Sequence, residues 1–207
     1  MRIAIFASGS GSNAEAIIRA SREGRLSSEV GLVISNNVNA GVLKRAKALE
    51  VNNSVIDPRS FESEELYITS LLSTLDENEI DFIALAGYLK LVQRELIDKY
   101  RKKITNIHPA LLPSFGGKGF YGMKVHEAVI EAGCKVSGVT IHLVNEKYDR
   151  GAIIAQRTLP VLGDDSPESL AERVLKIEHE IYPEALQLFE EERVLVTNSV
   201  ARIIDKV

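Results

Sequence analysis

The sequence predicts an α/β fold: an open, mostly parallel sheet with helices on both faces and an antiparallel addition toward the C-terminus. Three observations lead there. Short β-branched runs alternate with longer stretches of helical spacing through the first half, the mark of βαβ units. The runs end in turns rich in Gly, Ser and Asn, such as Ser8 to Asn13 and Ser35-Asn36-Asn37. Beyond residue 135, two strand-like runs are joined by one short polar segment, which suits an antiparallel pair.

The elements follow in order. Ile3 to Ala7 reads as a buried strand and Ala14 to Ser21 as the helix after it. Val30 to Ile34 is the second strand, with a helix over about Val42 to Leu49, and Ser54 to Ile56 is a short third strand. Phe61 to Leu75 has helical spacing, with Phe61, Leu66, Ile68, Leu71, Leu72 and Leu75 on or near one face. Asp81 to Ala86 is the fourth strand, Leu91 to Tyr100 a helix and Lys103 to Ile107 the fifth strand. After the loop Gly116 to Gly122 come a helix near Val125 to Glu131 and the strand pair Val136 to Val144 and Ala152 to Pro160. Ser166-Pro167-Glu168-Ser169 is a helix start with Pro at the first helical position. That helix is expected to reach about His179 and to break or kink at Pro183 before Ala185 to Glu191. Two short strand-like runs lie around Val194 and Ile203.

At 207 residues, with no visible repeat or linker, one domain over 1–207 is the expectation. The formal net charge is −4, so nothing global draws the chain to nucleic acid. A single cysteine, Cys134, rules out an internal disulfide and fits a reducing compartment. The opening apolar stretch is too short for a signal peptide, and no stretch nears the roughly 20 apolar residues of a membrane span. The expectation is a soluble cytoplasmic protein.

Gly9-x-Gly11-x-x-Ala14 follows a strand and opens a helix. Glycines let the backbone approach an anion, and the helix N-terminus offers N–H donors and a favourable dipole. A plain strand-to-helix turn would have the same spacing. A dinucleotide site wants an acidic residue at the end of the second strand. Here that place holds Ser35-Asn36-Asn37, which argues against a nicotinamide cofactor. Gly117-Lys118 is followed by Gly119, so the Walker pattern is absent as well.

Asn106-Ile107-His108-Pro109 closes the fifth strand, where ligands sit in open α/β sheets. Asn106 and His108 are two apart and point the same way, pairing an amide donor with an imidazole. Together they suit a developing oxyanion and a mobile proton. His142 and Asp149 flank the end of the later strand pair. A carboxylate near His108 would tune the imidazole or relay a proton, although Asp before Arg150-Gly151 also suits a simple turn. The four histidines, His108, His126, His142 and His179, show no ligand spacing, so no metal is expected.

Those residues, with Ser35-Asn36, Leu85-Ala86-Gly87-Tyr88, Ala110 to Pro113 and Glu178-His179, resemble the phosphoribosylglycinamide formyltransferase family over nearly the whole chain. The resemblance implies a Rossmann-like formyltransferase fold and transfer of the formyl group of 10-formyltetrahydrofolate, the co-substrate, to the amine of glycinamide ribonucleotide. It implies that Gly11, Ser12 and Asn13 hold the substrate phosphate and Glu178 the ribose hydroxyls. It implies that Leu89, Lys90, Leu91 and Val92 line the pterin pocket. Asn145, Glu146, Lys147, Tyr148 and Asp149 would close over the folate, with Asn106 shared between folate and catalysis. Asn106, His108 and Asp149 would form the catalytic trio. Two departures stand out. Many members carry a folate-contacting Arg where this chain has Glu64, and the loop Ser114 to Gly122 is longer than in several members.

Small-molecule substrates, no nucleic acid, no membrane and a monomer or homodimer complete the expectation. A tRNA-directed formyltransferase would want a basic C-terminal domain, and a formyltetrahydrofolate hydrolase an added N-terminal module.

Overall fold

Ile3, Ala4, Ile5 and Phe6 leave no polar side on β1 (Arg2–Phe6), so the strand must be covered on both faces. The same holds for β2 (Glu29–Ser35) and β4 (Phe82–Leu85), buried along almost their whole length. Both pair with β1 in parallel, and β3 (Asn53–Val55) extends the sheet beyond β2. The computed structural model describes residues 1–205.

Two compact units divide the chain, residues 1–105 and residues from 106 onward. In the first unit, α1 (Ser12–Arg22) and α2 (Gly41–Ala48) pack on one another and on β2. A 3-10 turn at Pro58–Ser60 leads to α3 (Glu64–Glu77). The Ser63 hydroxyl caps α3 by accepting the Leu66 N–H at 3.2 Å. Tyr67, Leu71 and Leu75 form its buried face, spaced four apart. Leu66, expected on that face, is 51% exposed. The apolar stripe is set by which side meets the sheet, and the capped start turns Tyr67 inward instead.

The expected helix from Leu91 is α4 (Arg94–Lys99), entered from an extended Gln93. Residues 88–93 lie outside any helix or strand. Glu64 lies with Glu65 in the first turn of α3. A carboxylate there suits the positive end of the helix dipole.

The fifth strand, β5 (Ile104–His108), crosses the division. The second unit continues with α5 (Met123–Glu131), β6 (Val136–Leu143) and β7 (Ile153–Pro160). β6 and β7 pair antiparallel from Val136 opposite Pro160 to His142 opposite Ile153. Gly151 makes the return possible: a Cβ there would lie 1.7 Å from the Leu143 carbonyl oxygen. α6 (Pro167–Glu190) packs on α5, β6 and β7. Ser166 and Ser169 cap its start reciprocally. The helix is continuous through Pro183, so the break that the sequence allows there, as the alternative to a kink, does not occur. Proline removes one backbone N–H, but Pro183 is buried with Ile181, Tyr182, Ala185 and Leu186, and that packing carries the helix past the gap. β8 (Val194–Thr197) and β9 (Val200–Ile203) form a hairpin.

The strand order is β3-β2-β1-β4-β5-β6-β7, with β8-β9 as a separate sheet. The chain therefore reverses direction of travel through the sheet between β1 and β4. Ligands of open α/β sheets bind outside the carboxyl ends of strands at such a switch point.

Candidate active site

Two loops of the first unit leave the sheet at the switch point. The loop after β1 turns through Gly11, with φ +80°, into α1. A Cβ on Gly11 would lie 2.5 Å from Val42 Cβ, so only glycine allows both the left-handed turn and the approach of α2. Gly11 supplies no capping side chain to the first turn, where Ser12 and Asn13 stand. Arg45 fastens the loop from outside, donating to the Ser10 carbonyl at 2.9 Å and pairing with Glu15.

The loop after β4 carries Leu89, Lys90, Leu91 and Val92. Leu89 is 57% and Leu91 45% exposed, while Val92 is buried. Helix-entry core would hide these leucines. Tyr88 anchors the loop: its ring meets Phe6 edge-on at 5.4 Å and its hydroxyl stands 3.4 Å from that of Tyr67. Burial pushes the Tyr88 phenol pKa well up, so it stays neutral.

In the second unit, β5 and β6 bring Asn106, His108 and His142 together with Asp149, which follows β6 in the turn to β7. The hydrogen bonds settle both imidazole tautomers. His142 Nδ1 faces its neighbour's carbonyl, Leu143 O, at 2.8 Å, and a carbonyl only accepts. Nδ1 therefore carries the proton, and Nε2 of the neutral ring is an acceptor. Asn106 Nδ2 stands 3.1 Å from that Nε2, so the amide turns its NH2 group toward His142. One N–H is used there, and the same nitrogen keeps a second. His108 Nε2 likewise donates to the Phe115 carbonyl at 2.8 Å. Its Nδ1 then bears the lone pair, 3.8 Å from Asp149 Oδ2.

Asp149 sits among these groups with φ +52°. Its Oδ2 accepts the Gly117 N–H at 2.8 Å, and its Oδ1 lies 3.5 Å from His142 Nε2. Gly116 has no room for a side chain: a Cβ would lie 2.3 Å from Leu112 Cδ2 and 3.3 Å from Asp149 Cβ. Burial pushes the Asp149 pKa up, but the His142 imidazole, which donates from Nε2 once protonated, the Gly117 N–H and the charge of a protonated His108 outweigh it, so the carboxyl lies below its usual value. Burial dominates at His108 and holds its pKa below the ordinary histidine value, against the raising influence of Asp149 and the Phe115 carbonyl. At neutral pH the pair is a carboxylate beside a neutral imidazole. Such a pair can accept a proton at Nδ1 and hold the resulting imidazolium.

The remaining predicted residues divide by place. Asn145 starts an Asx turn by accepting the Lys147 N–H at 2.9 Å, and Glu146, Lys147 and Tyr148 are exposed. Glu178 is 8% exposed within α6, which removes the alternative of an exposed helix carboxylate. Among the described residues, no group of three or more His, Cys, Asp or Glu could hold a metal ion. No helix among them is long and apolar enough to cross a membrane.

The formyl transferase family model matches residues 1–186. The chain belongs to the formyl transferase family. It is 45% identical over 94% of its length to the chloroplastic phosphoribosylglycinamide formyltransferase of Vigna unguiculata, of which it spans less than two-thirds (62%). It is 36% identical over 90% of its length to the phosphoribosylglycinamide formyltransferase of Bacillus subtilis, spanning 93% of that protein. The crystal structure of glycinamide ribonucleotide transformylase 1 from Symbiobacterium toebii superposes with a TM-score of 0.92 at 38% identity, covering 99% of this chain and 94% of that one.

Three groups of the site carry no functional motif in the sequence and come into view only in the structure. His142 was given no role of its own, yet its tautomer decides which way the Asn106 amide faces. The Phe115 carbonyl does the same for His108, and the Gly117 N–H steadies Asp149. The adjacent glycines 116 and 117 were the one signal in sequence. Backbone partners leave no other trace there, because any residue type carries them.

Proposed function

We propose that this chain transfers the formyl group of 10-formyltetrahydrofolate to the amine of glycinamide ribonucleotide, giving formylglycinamide ribonucleotide and tetrahydrofolate. The observation that carries the reading is the cluster of half-buried Asn106 and Asp149 with buried His108 and His142 in a formyl transferase chain. The substrate amine attacks the formyl carbon, and the carbonyl oxygen becomes an oxyanion. The second N–H of Asn106 meets that charge. His108 enters neutral, takes a proton at Nδ1 and then serves as a second donor to the oxyanion, while Asp149 offsets its charge. The bond from the formyl carbon to the folate nitrogen breaks, and the proton passes to that nitrogen directly or through water. No step is routed through a metal.

In this reading Gly11, Ser12 and Asn13 hold the phosphate of the ribonucleotide and Glu178 its ribose hydroxyls. Leu89, Lys90, Leu91 and Val92 meet the pterin through backbone groups, a role supported by the exposure of the first three and the lack of regular structure in all four. Asn106 and the turn Asn145, Glu146, Lys147, Tyr148 and Asp149 complete the folate contacts. The chain works as one formyltransferase domain on small molecules, as a monomer or homodimer, in the cytoplasm, without nucleic acid or membrane. The test is incubation with both substrates, following release of deformylated folate. Absence of turnover with glycinamide ribonucleotide sinks the proposal.

A further inference from the structure

The loop after β1 and the loop after β4 share one residue. Ser8 lies two residues past the end of β1, is 9% exposed and belongs to neither the catalytic cluster nor the phosphate turn. It holds the second loop twice. Its backbone N–H donates to the Gly87 carbonyl at 3.0 Å, and its hydroxyl oxygen accepts the Leu89 N–H at 3.0 Å. The same hydroxyl gives its own proton to Asn36 Oδ1 at 2.6 Å. Asn36 is 8% exposed at the end of β2. With its proton committed to Asn36, the hydroxyl has a lone pair fixed toward Leu89, so the rotor has one orientation rather than three.

The consequence falls on residues 89–92. They form no helix or strand that would hold their backbone. Their fixed points are Gly87 and Leu89, both on Ser8, and the Tyr88 ring between them. Gly87 has φ +75°, so the chain turns sharply just before Leu89, and a small rotation there would swing the following residues. The opposite anchor is equally local. The residue after Ser8 is Gly9, whose carbonyl accepts the Val42 N–H at 3.1 Å, so Ser8 stands on a loop braced against α2.

We infer that Ser8, backed by Asn36, is a positioning residue that holds the backbone of residues 89–92 in register for the folate. The inference rests on the proposed function and gives Ser8 and Asn36 a part in it that the composition of the loops does not suggest. It also gives a use to the Asn36 amide that occupies the place of the acidic residue of a dinucleotide site. An amide oxygen there accepts from Ser8 without placing a charge beside the loop.

The experiment compares the wild type with Ser8→Ala, Asn36→Ala and the double variant in steady-state kinetics. The concentration of each substrate is varied, and thermal melts are run alongside. Ser8→Ala removes one bond to the loop and one to Asn36, so KM for 10-formyltetrahydrofolate is expected to rise about 5- to 20-fold, given the usual worth of such bonds. Both kcat and KM for the ribonucleotide should stay within about threefold, since the loss is confined to ground-state folate binding. Asn36→Ala should shift the same KM by a smaller factor. The double variant should be no worse than Ser8→Ala, because Asn36 acts only through the hydroxyl. An unchanged folate KM in an active Ser8→Ala enzyme overturns the inference and leaves the proposed function standing. So does an equal loss in all parameters that tracks a lowered melting temperature. A wild type inactive with both substrates ends the proposed function and this inference with it. If Ser8→Ala fails to fold, Asn36→Ala carries the test: folate KM must rise selectively.

Discussion

Replacing Asp149 by Asn separates charge from shape. Asn has the size of Asp and accepts the left-handed φ of +52° at this position more readily than most residues. Its side-chain oxygen can still take the Gly117 N–H, and its NH2 group can face the acceptor Nε2 of His142. The fold and the turn before Arg150-Gly151 should therefore survive. What disappears is the negative charge 3.8 Å from His108 Nδ1. At an effective dielectric of about 20, a unit charge pair at that distance is worth about 4 kcal/mol. Only the part of the imidazolium charge developed in the transition state feels it, so kcat should fall by roughly 10²- to 10³-fold, within the range for acid–base assistance.

The pH profile carries the sign. The His108 pKa already lies below its ordinary value through burial, and Asp149 is the largest influence raising it. Without that charge the pKa drops further. The acid limb of kcat, where His108 becomes protonated and can no longer accept, should move to lower pH in Asp149→Asn. Steady-state kinetics across pH on both proteins, with circular dichroism for folding, give the answer. A folded variant within about fivefold of wild type, or an acid limb that stays put, would refute the role assigned to the charge.

His142→Ala should fold and lose about tenfold in kcat, because one hydrogen bond that orients the Asn106 amide is gone; unchanged turnover would leave Asn106 self-oriented. Gly151→Ala should cost about 3 kcal/mol, since its Cβ meets backbone rather than a movable side chain. For a chain near 200 residues that is a Tm lower by about 6–12 °C, read by calorimetry. Glycinamide riboside without its phosphate should be a markedly poorer substrate; equal efficiency would remove the phosphate role from Gly11 to Asn13. Exhaustive dialysis against EDTA should leave activity intact, and activity that vanishes and returns with zinc would overturn the metal-free mechanism. On acidification, Asp149 should help set where stability is lost. Its folded pKa is depressed, so its contribution is full above the unfolded value and disappears as pH falls through the folded one. The Tm of Asp149→Asn should therefore fall less on acidification than that of wild type, read by thermal melts across pH.

Much of this protein is written locally in its chain. The apolar runs at Ile3 and Val30 announce buried strands, because a segment with no polar side has to be covered on both faces. The glycine turn at Gly11 and the Ser166-Pro167 start are legible for the same reason, since φ preference and capping act within a few residues. The alternation of Asn106 and His108 on one side of a strand is equally local. Other features belong to contacts between residues far apart in sequence. Spacing puts Leu66 on the buried face of α3, and the sheet selects Tyr67 instead. Propensity carries a helix back to Leu91, and the anchors at Gly87 and Leu89 hold the loop out of it. Pro183 reads as a break, and packing overrides it. The two histidine tautomers are decided by the carbonyls of Leu143 and Phe115, and the orientation of the Asn106 amide follows from His142, 36 residues away. A sequence names the groups that can give or take a proton; only the folded chain decides which nitrogen carries it, because that choice is made by whichever backbone atom the fold brings within 3 Å.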